Sequence, residues 1–463
     1  MNGRIPTGNE RLDAILHGGL LENAINLIVG VPGSGKTILS QQVAFHNATT
    51  ERPALYLSTL SEPLDKILRY GERLSFFDRA AVKDGRVCYE DIGQPLGEGG
   101  LDEVLTAMDA LLRRYRPGIV VIDSFRAFHA MATDESAFRQ FLYGMLRRLS
   151  ATATTAIWNA PYSRAQAIEE AESAVADAVI ALDVRQTAER EVRVLQVLKL
   201  RGSDYRSGEH SYRIAQGGIE VFPRLAEVQM ETKYELGAEP AATGIAALDD
   251  LLSAGGYWSG AATLVAGPSG IGKTLMGLHF LYHGARMGEP GILATFHENE
   301  TQLARIVKSF GWSLDEPNVH VMARGVVDMD IDRWVYDLFD LVERTGAKRI
   351  VVDSLHDLEI AAGDPIRFRE WMFSMMQRLA RGAVSLIVIL EVPSLFHVDR
   401  ISEHGISHLA DNVILLQYVQ EGSELARSLT VLKTRAMRHR PVVHRYEITD
   451  KGFVLGGVLS GAP

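Results

Sequence analysis

Short apolar runs rich in β-branched residues alternate with longer amphipathic stretches along the chain. The runs "AINLIVG", "ALYLST", "GIVVIDS" and "TTAIWNA" each have the length of a buried strand. The stretch "ESAFRQFLYGMLRRL" places Phe138, Phe141, Leu142 and Met145 at helical spacing, which predicts a helix with one apolar face. This alternation predicts an α/β fold, a mainly parallel sheet flanked by helices, with ligands at the carboxyl ends of the strands.

The hydrophobic pattern occurs twice. "TGNERLDAILHGGLLENAINLIVGVPGSGKT" in the first half matches "TGIAALDDLLSAGGYWSGAATLVAGPSGIGKT" in the second, and "PGIVVIDS" matches "KRIVVDS". Near the end of each half, "VLQVLKLRG" matches "SLTVLKTRA". Matching blocks in one order predict two duplicated domains, 1–225 and 241–463, rather than a short-period solenoid. The segment between them, 226–240, has scattered Glu and little apolar period, which is typical of a linker.

Composition narrows the class of protein. The 463 residues are 46% hydrophobic, enough for large cores. The formal net charge of -10 opposes a large surface that follows nucleic-acid phosphates. Cys88 is the single cysteine, so no internal disulfide can form. The N-terminus has no basic region followed by a long apolar run, and no stretch reaches the length of a membrane span. We therefore expect a cytoplasmic protein.

Two octets, "GVPGSGKT" and "GPSGIGKT", fit the pattern GxxxxGK[ST], each after an apolar strand and before a helix. Glycines let backbone N–H groups approach phosphate oxygens, the lysine adds a positive charge, and the threonine hydroxyl is a ligand for Mg²⁺. A chance glycine-rich turn does not explain two octets in matching context. The predicted ATP-binding residues are Gly30, Gly33, Ser34, Gly35, Lys36, Thr37, Gly267, Gly270, Ile271, Gly272, Lys273 and Thr274.

An aspartate ends the apolar strand downstream of each octet. Asp123 follows "GIVVI" and Asp353 follows "RIVV". A carboxylate there can orient the water shell of Mg²⁺ together with Thr37 or Thr274, or it can simply cap a loop. Pairing with the octets favours the metal role.

These blocks resemble the RecA-type ATPase superfamily, and their tandem arrangement with "KLRG" resembles the KaiC circadian-clock ATPases over nearly the whole chain. The resemblance implies two tandem RecA-like P-loop NTPase domains that form a double-ring homo-hexamer, with ATP and Mg²⁺ between neighbouring subunits. It also implies that Lys199, Arg201, Lys433 and Arg435 reach the neighbour's phosphates. From the residues alone, each pair follows an apolar strand with both cations on one side, which suits either a phosphate or a solvated strand edge.

In the clock family, two adjacent glutamates follow the second strand and activate the nucleophile. His297 and Glu298 occupy this place in the second half, so Glu298 is the candidate base, and His297 is either a weak base or a polar filler. Leu60 and Ser61 occupy it in the first half. That register predicts tight binding and slow hydrolysis there, whereas a one-residue slip gives the role to Glu62.

Clock proteins of this type also phosphorylate a Ser-Thr pair on the second ring. Ser407 falls on the family's serine, His408 replaces its threonine, and Ser402 falls on a further phosphorylatable position. Ser407 is thus either a phosphate acceptor or a capping or surface hydroxyl. The family's long C-terminal tail, which engages an activating partner, has no counterpart after "GVLSGAP", so we do not expect stimulation by that partner.

Three functions follow from these patterns. The leading hypothesis is an oligomeric ATPase with weak or no autokinase activity that acts as a switch or timer with a regulatory protein partner. The second is a helicase-like DNA motor, which requires basic central loops, whereas "AIEEAESAVADA" is acidic. The third is a non-catalytic scaffold that assembles on ATP.

Overall fold

A computed structural model describes residues 3–59, 64–187, 190–225, 239–325, 329–396, 405–435, 438–439, 441–450 and 452–459. The chain divides into two compact units, Met1–Arg224 and Leu225–Pro463, here called domain one and domain two. Most of the predicted linker, 226–238, lies outside the described residues.

Domain one alternates strands and helices. Its strands are β1 (Arg4–Ile5), β2 (Leu20–Leu21), β3 (Ile25–Gly30), β4 (Ala54–Ser58), β5 (Val87–Asp91), β6 (Ile119–Asp123), β7 (Thr155–Ala160), β8 (Ala178–Thr187), β9 (Arg190–Leu200), β10 (His210–Ala215) and β11 (Gly218–Phe222). Its helices are α1 (Glu10–Ile15), α2 (Lys36–Asn47), α3 (Leu64–Gly71), α4 (Arg79–Lys83), α5 (Gly93–Tyr115), α6 (Arg126–Met131), α7 (Glu135–Ala151), α8 (Arg164–Glu169) and α9 (Ala171–Val175).

The described part of domain one contains a nine-stranded sheet in the order β11-β10-β9-β8-β3-β7-β6-β4-β5. The strands from β8 to β5 run parallel, and β9, β10 and β11 add antiparallel pairs at the other side. Because β3 is central, the loop that follows it opens at the carboxyl edge of the parallel strands, where such sheets bind ligands.

Domain two repeats this plan. Its strands are β12 (Pro240–Ala241), β13 (Tyr257–Trp258), β14 (Ala262–Gly267), β15 (Gly291–Thr295), β16 (Val319–Ala323), β17 (Arg349–Asp353), β18 (Ser385–Glu391), β19 (Asn412–Glu421), β20 (Glu424–Thr434), β21 (His444–Thr449) and β22 (Gly452–Val458). Its helices are α10 (Ala246–Leu251), α11 (Lys273–Arg286), α12 (Glu300–Ser309), α13 (Ile331–Thr345), α14 (Leu355–Ala362), α15 (Pro365–Arg381) and α16 (Ile406–Leu409). The sheet order, β16-β15-β17-β18-β14-β19-β20-β21-β22, places β14 where domain one has β3.

The apolar runs are continuous because the parallel strands are covered on both faces. In β3, Leu27 and Val29 pack into one core cluster and Ile28 into the other. The predicted amphipathic helix is α7, whose N-terminus is capped by Asp134, with its carboxylate accepting from Ala137 N at 2.8 Å. Its predicted apolar face is buried: Phe138, Phe141, Leu142 and Met145. The predicted fold of two mainly parallel, helix-flanked sheets is confirmed.

Candidate functional site

The first octet forms the turn between β3 and α2. Gly33 and Gly35 have φ of +80° and +96°, which side chains other than glycine rarely adopt. Lys36 is buried at the start of α2, and its Nζ donates to the carbonyls of Gly30 at 2.7 Å and Val31 at 3.1 Å. Burial lowers the pKa of Lys36. The turn therefore holds its lysine inward, beside the two glycines that need a positive φ.

The second octet forms the same turn between β14 and α11. Lys273 is buried, and its Nζ donates to the carbonyl of Pro268 at 2.7 Å. Burial lowers the pKa of Lys273, against the opposing charges of Glu391 and Asp353. The predicted ATP-binding residues thus lie in two equivalent turns: Gly30, Gly33, Ser34, Gly35, Lys36 and Thr37 in one, and Gly267, Gly270, Ile271, Gly272, Lys273 and Thr274 in the other.

A tyrosine from the antiparallel side of the sheet buttresses each turn. Tyr212 OH donates to the carbonyl of Ser34 at 2.6 Å, and Tyr446 OH donates to the carbonyl of Ile271 at 2.6 Å. Tyr212 begins "YRIAQGGIEV" and Tyr446 begins "YEITDKGFVL", which share the pattern Tyr-x-Ile near the end of each half, so the duplication relates the two contacts. The hydroxyl ties the loop to β10 in domain one and to β21 in domain two.

Each predicted pair of magnesium ligands is brought together. Thr37 Oγ1 donates to Asp123 Oδ2 at 2.7 Å, and Thr274 Oγ1 donates to Asp353 Oδ2 at 2.5 Å. Hydroxyl and carboxylate oxygens are the ligands that Mg²⁺ prefers, and one or two from the protein are typical beside a triphosphate. The residues therefore fit a magnesium ion at each turn.

Tyr56 is a residue of domain one that the sequence did not single out. Its hydroxyl donates to Asp123 Oδ2 at 2.6 Å, so that this oxygen accepts from two hydroxyls. Burial, followed by the charge of Asp123, raises the pKa of Tyr56 well above its usual range. The strand registers place Leu293 at the same position in domain two. The two copies therefore surround their aspartates differently.

In domain two a second carboxylate lies near the aspartate. Thr295 Oγ1 donates to Glu298 Oε2 at 2.6 Å, which turns Glu298 back towards the end of β15. Burial raises the pKa of Asp353 to about 6, and the charge of Glu298 adds to the effect. Glu298, Asp353 and Lys273 therefore form one charged cluster at the turn of the second octet.

His297 is oriented differently from Glu298. Its Nε2 lies 3.0 Å from Asp357 Oδ2 in α14, which also accepts from Ser354 Oγ at 2.8 Å. The His297 side chain is 62% exposed. The histidine thus pairs with α14, while the neighbouring glutamate lies near Asp353.

Glu62, the alternative base of domain one, lies outside the described residues, together with Leu60 and Ser61. The strand registers pair Ser58 with Asp123, as Thr295 pairs with Asp353. Counting onwards from these pairs puts Ser61 at the position of Glu298.

The Lys-x-Arg segments bind backbone carbonyls of their own domains. Lys199 Nζ donates to the carbonyls of Ser173 at 3.0 Å and Ala174 at 3.1 Å, and Arg201 donates to Ala174 O at 3.3 Å. Burial and the neighbouring Arg201 lower the pKa of Lys199. The side chains of Lys199 and Arg201 thus point to the same side, towards α9, as their spacing predicts.

Domain two repeats this contact next to the predicted phosphate acceptor. Lys433 Nζ donates to the carbonyls of Ser407 at 3.1 Å and Ala410 at 2.6 Å, and Arg435 donates to His408 O at 2.8 Å. Ser407 therefore lies in α16 beside the cationic pair. Ser402 lies outside the described residues.

The fold and the two turns define a tandem P-loop protein of the RecA-like class. None of the helices in the described parts of the chain combines the length and apolar character that a bilayer crossing requires. The family model "ATPase: KaiC" matches residues 5–226 and 241–457. The chain belongs to the KaiC family of ATPases.

Curated relatives match almost end to end at modest identity. The circadian clock oscillator protein KaiC of Picosynechococcus sp. is 25% identical over 99% of this chain and 92% of its own length. The circadian clock protein KaiC3 of Synechocystis sp. is 26% identical over 99% of this chain and 94% of its own length. KaiC of Synechococcus elongatus is 26% identical over 96% of this chain and 87% of its own length.

Proposed function

We propose that this KaiC-family ATPase is a nucleotide-dependent switch or timer whose subunits assemble into a double-ring hexamer, with each ATP held between two subunits. The observation that carries the proposal is the position of the Lys-x-Arg segments in the sheets. Lys199 pairs with Val179, which pairs with Leu27 in the first half of β3, whereas the phosphate turn begins after Gly30.

Domain two has the same arrangement. Lys433 pairs with Val413, which pairs with Leu264, and the phosphate turn follows Gly267. Lys199 and Lys433 thus lie level with a residue three positions before the end of β3 or β14, which is roughly 10 Å at about 3.3 Å per residue. Each lies two strands away from β3 or β14, towards the sheet edge opposite the turn. This position favours contact with the phosphates of a neighbouring subunit over contact with those of the same domain.

Glu298 is the general base in this proposal. It accepts the proton of a water that attacks the γ-phosphorus, ADP leaves, and the proton passes on with the released phosphate. Lys273 and the turn's N–H groups hold the phosphates, and Thr274 and Asp353 hold the metal. Mg²⁺, when bound, neutralises charge on the phosphate oxygens.

Domain one holds nucleotide and turns it over slowly in this proposal, because Ser61 replaces the glutamate by position. Tyr56 supports this division, since it gives Asp123 a second hydroxyl donor where domain two has Leu293. A ring built on slow domain-one turnover suits a timer that presents a surface to a regulatory protein. The clock proteins among the relatives support this extension.

Weak phosphorylation of Ser407 is the finer part of the proposal. The Ser407 oxygen attacks the γ-phosphorus of ATP bound to the neighbouring subunit, whose Glu298 accepts the hydroxyl proton, and ADP leaves. The position of α16 beside Lys433 supports a donor on another subunit. Intact mass after incubation with Mg-ATP measures the phosphorylation. If no phosphate is added, the autokinase part of the proposal is wrong and the ATPase part is unaffected.

Mixing two inactive variants tests the shared site. Lys273→Ala lacks a working phosphate turn but keeps Arg435, and Arg435→Ala keeps the turn. Random assembly restores an intact pair at about one interface in four, so we expect about a quarter of the Lys273-dependent turnover. Mixing Lys273→Ala with Glu298→Gln is the control, because both changes affect the same half-site, and we expect no recovery.

Equal turnover in both mixtures would refute the shared site. Unchanged turnover when Lys36 and Lys273 are both replaced by Ala would refute the ATPase assignment of these turns. Bound nucleotide without hydrolysis above background would favour a scaffold. Salt-sensitive binding of single-stranded DNA at low micromolar protein would favour a DNA motor.

A further inference from the structure

Three side chains of domain one that the proposed ATP chemistry does not use converge beneath α7. His129 belongs to α6, Glu170 joins α8 to α9, and Glu172 lies in the first turn of α9. One ligand atom from each, a ring nitrogen or a carboxylate oxygen, lies within 4.8 Å of the other two. His129 Nδ1 and Glu170 Oε2 are 3.6 Å apart. Ligands of a tetrahedral zinc ion lie about 3.4 Å apart, so small side-chain movements close the set.

Glu172 is unusual because it is a carboxylate that is fully buried. Its exposed fraction is 0%. One oxygen, Oε1, accepts from Tyr162 OH at 2.6 Å, whereas the buried Oε2 has no hydrogen-bond partner among the residues that the structure describes. Burial raises the pKa of Glu172, and burial followed by Glu172 itself raises the pKa of Tyr162. A buried carboxylate oxygen without a partner costs stability, and a bound cation would remove that cost.

The duplicated domain shows that the fold does not need this carboxylate. Ala176 N donates to Glu172 O at 2.9 Å, and Ala410 N makes the same contact with Ile406 O at 3.2 Å in domain two. Ile406 therefore occupies the place of Glu172, and it is buried. Since an isoleucine completes the same helix in one copy, the charged side chain in the other copy serves a purpose besides packing.

His129 is held in a position suited to metal binding. Its ring stacks on Phe138, with centroids 4.4 Å apart and planes 7° apart. While Nδ1 faces Glu170, Nε2 lies 3.6 Å from Glu135 Oε2. Metal-binding histidines commonly donate their second ring N–H to a carboxylate, which fixes the ring. The His129 side chain is 34% exposed and that of Glu170 25%, so an ion can enter from solvent.

We propose that His129, Glu170 and Glu172 bind one divalent transition-metal ion of the zinc type in domain one. An imidazole with two carboxylates suits Zn²⁺, whereas Mg²⁺ and Ca²⁺ prefer oxygen ligands alone. The ion also fixes the start of α9, directly before the Ser173 and Ala174 carbonyls that Lys199 binds. The site is separate from the phosphate turns and does not depend on their proposed chemistry.

Zinc titration of tag-free, nucleotide-free full-length protein against a chromophoric chelator tests the site. Excess Mg²⁺ in the buffer occupies the oxygen-rich sites at the phosphate turns. We expect one Zn²⁺ per chain, and Glu172→Gln and His129→Asn each to weaken its binding at least about tenfold. The glutamine amide of the first variant is a poor metal ligand but keeps an acceptor for Tyr162, so the fold is retained. His46→Asn, which removes another histidine of domain one, is the matched control and leaves binding unchanged.

Thermal unfolding gives a second reading that is independent of the chelator. Zn²⁺ raises the unfolding temperature of the wild-type protein through binding to the native state, and it leaves the Glu172→Gln protein unchanged. Absorption of bound Co²⁺ in the wild type reports a nitrogen ligand that His129→Asn removes. Zinc binding of equal affinity in both variants and the wild type, or no binding in the wild type, would overturn the proposal.

Discussion

Replacing Asp353 with Asn should stabilise domain two without nucleotide while removing its response to Mg-ATP. Asp353 is 8% exposed, and burial raises its pKa from 3.8 to about 6. The native state therefore binds a proton on the Asp353 carboxylate more tightly than the unfolded chain does. The stability this provides is fully present below about pH 4 and is lost as the pH rises through about 6. Asn carries no charge and still accepts from Thr274.

The size of the effect follows from the pKa. The difference between 3.8 and about 6 corresponds to about 3 kcal/mol at pH 8, at about 1.4 kcal/mol per pKa unit. The same linkage gives about half that value at pH 5. In a domain of this size, 1 kcal/mol changes the unfolding temperature by about 2–4 °C. We therefore expect the Asn variant to unfold about 6–12 °C higher at pH 8, with a smaller gain at pH 5.

Tryptophan fluorescence reports this transition selectively, because four of the five tryptophans belong to domain two: Trp258, Trp312, Trp334 and Trp371. Mg-ATP should raise the wild-type transition and leave that of the variant unchanged, since Asn is a poor ligand for Mg²⁺. Asp123→Asn in domain one is the control, and it should not move this transition. Equal unfolding temperatures of wild type and Asp353→Asn at pH 8 would refute the electrostatic argument.

Three further substitutions test other contacts. Glu298→Gln should lower ATP turnover by domain two about 10²–10⁴-fold and leave nucleotide binding intact, because the general base is lost. Phosphate release measures the turnover, and a loss below about tenfold would exclude Glu298 as the base. Tyr56→Phe should destabilise domain one by about 1–3 kcal/mol, because Asp123 loses a hydrogen-bond donor. Hydrogen exchange of the β4 amides measures this loss of stability, and unchanged protection would contradict the prediction. Tyr446→Phe should weaken nucleotide binding in domain two about five- to tenfold, because the carbonyl of Ile271 loses its hydrogen bond. Titration with a fluorescent nucleotide measures the affinity, and an unaltered affinity would show that the loop does not need this hydrogen bond.

The strand and helix pattern predicted the architecture because burial on both sheet faces leaves a clear record in the sequence. β3, β4, β6 and β7 lie within the quoted apolar runs, and α7 coincides with the amphipathic stretch. The repeat predicted that the same plan occurs twice. Strand order could not be obtained this way, since it depends on long-range pairing such as β3 between β7 and β8.

The site was partly accessible from sequence because the residues predicted to bind phosphate are consecutive. Thr37 and Asp123 were paired only through their motif context, and their hydrogen bond is consistent with that pairing. Tyr56 was missed because its hydroxyl acts across two strands, and a tyrosine within an apolar strand has the same pattern as a core residue. The His129 cluster was missed for a similar reason, since its members come from α6, from α9 and from the residue that joins α8 to α9.

The two copies differ most where the backbone is most alike. β4 and β15 occupy equivalent positions, yet one supplies Tyr56 as a neutral donor to its aspartate and the other is followed by Glu298, whose negative charge lies near Asp353. A neutral donor stabilises an ionised aspartate, whereas a second carboxylate destabilises it until a cation arrives. We therefore expect domain two to gain more stability from Mg-ATP than domain one does. This difference supports the proposed division of labour, in which domain one holds nucleotide and domain two turns it over.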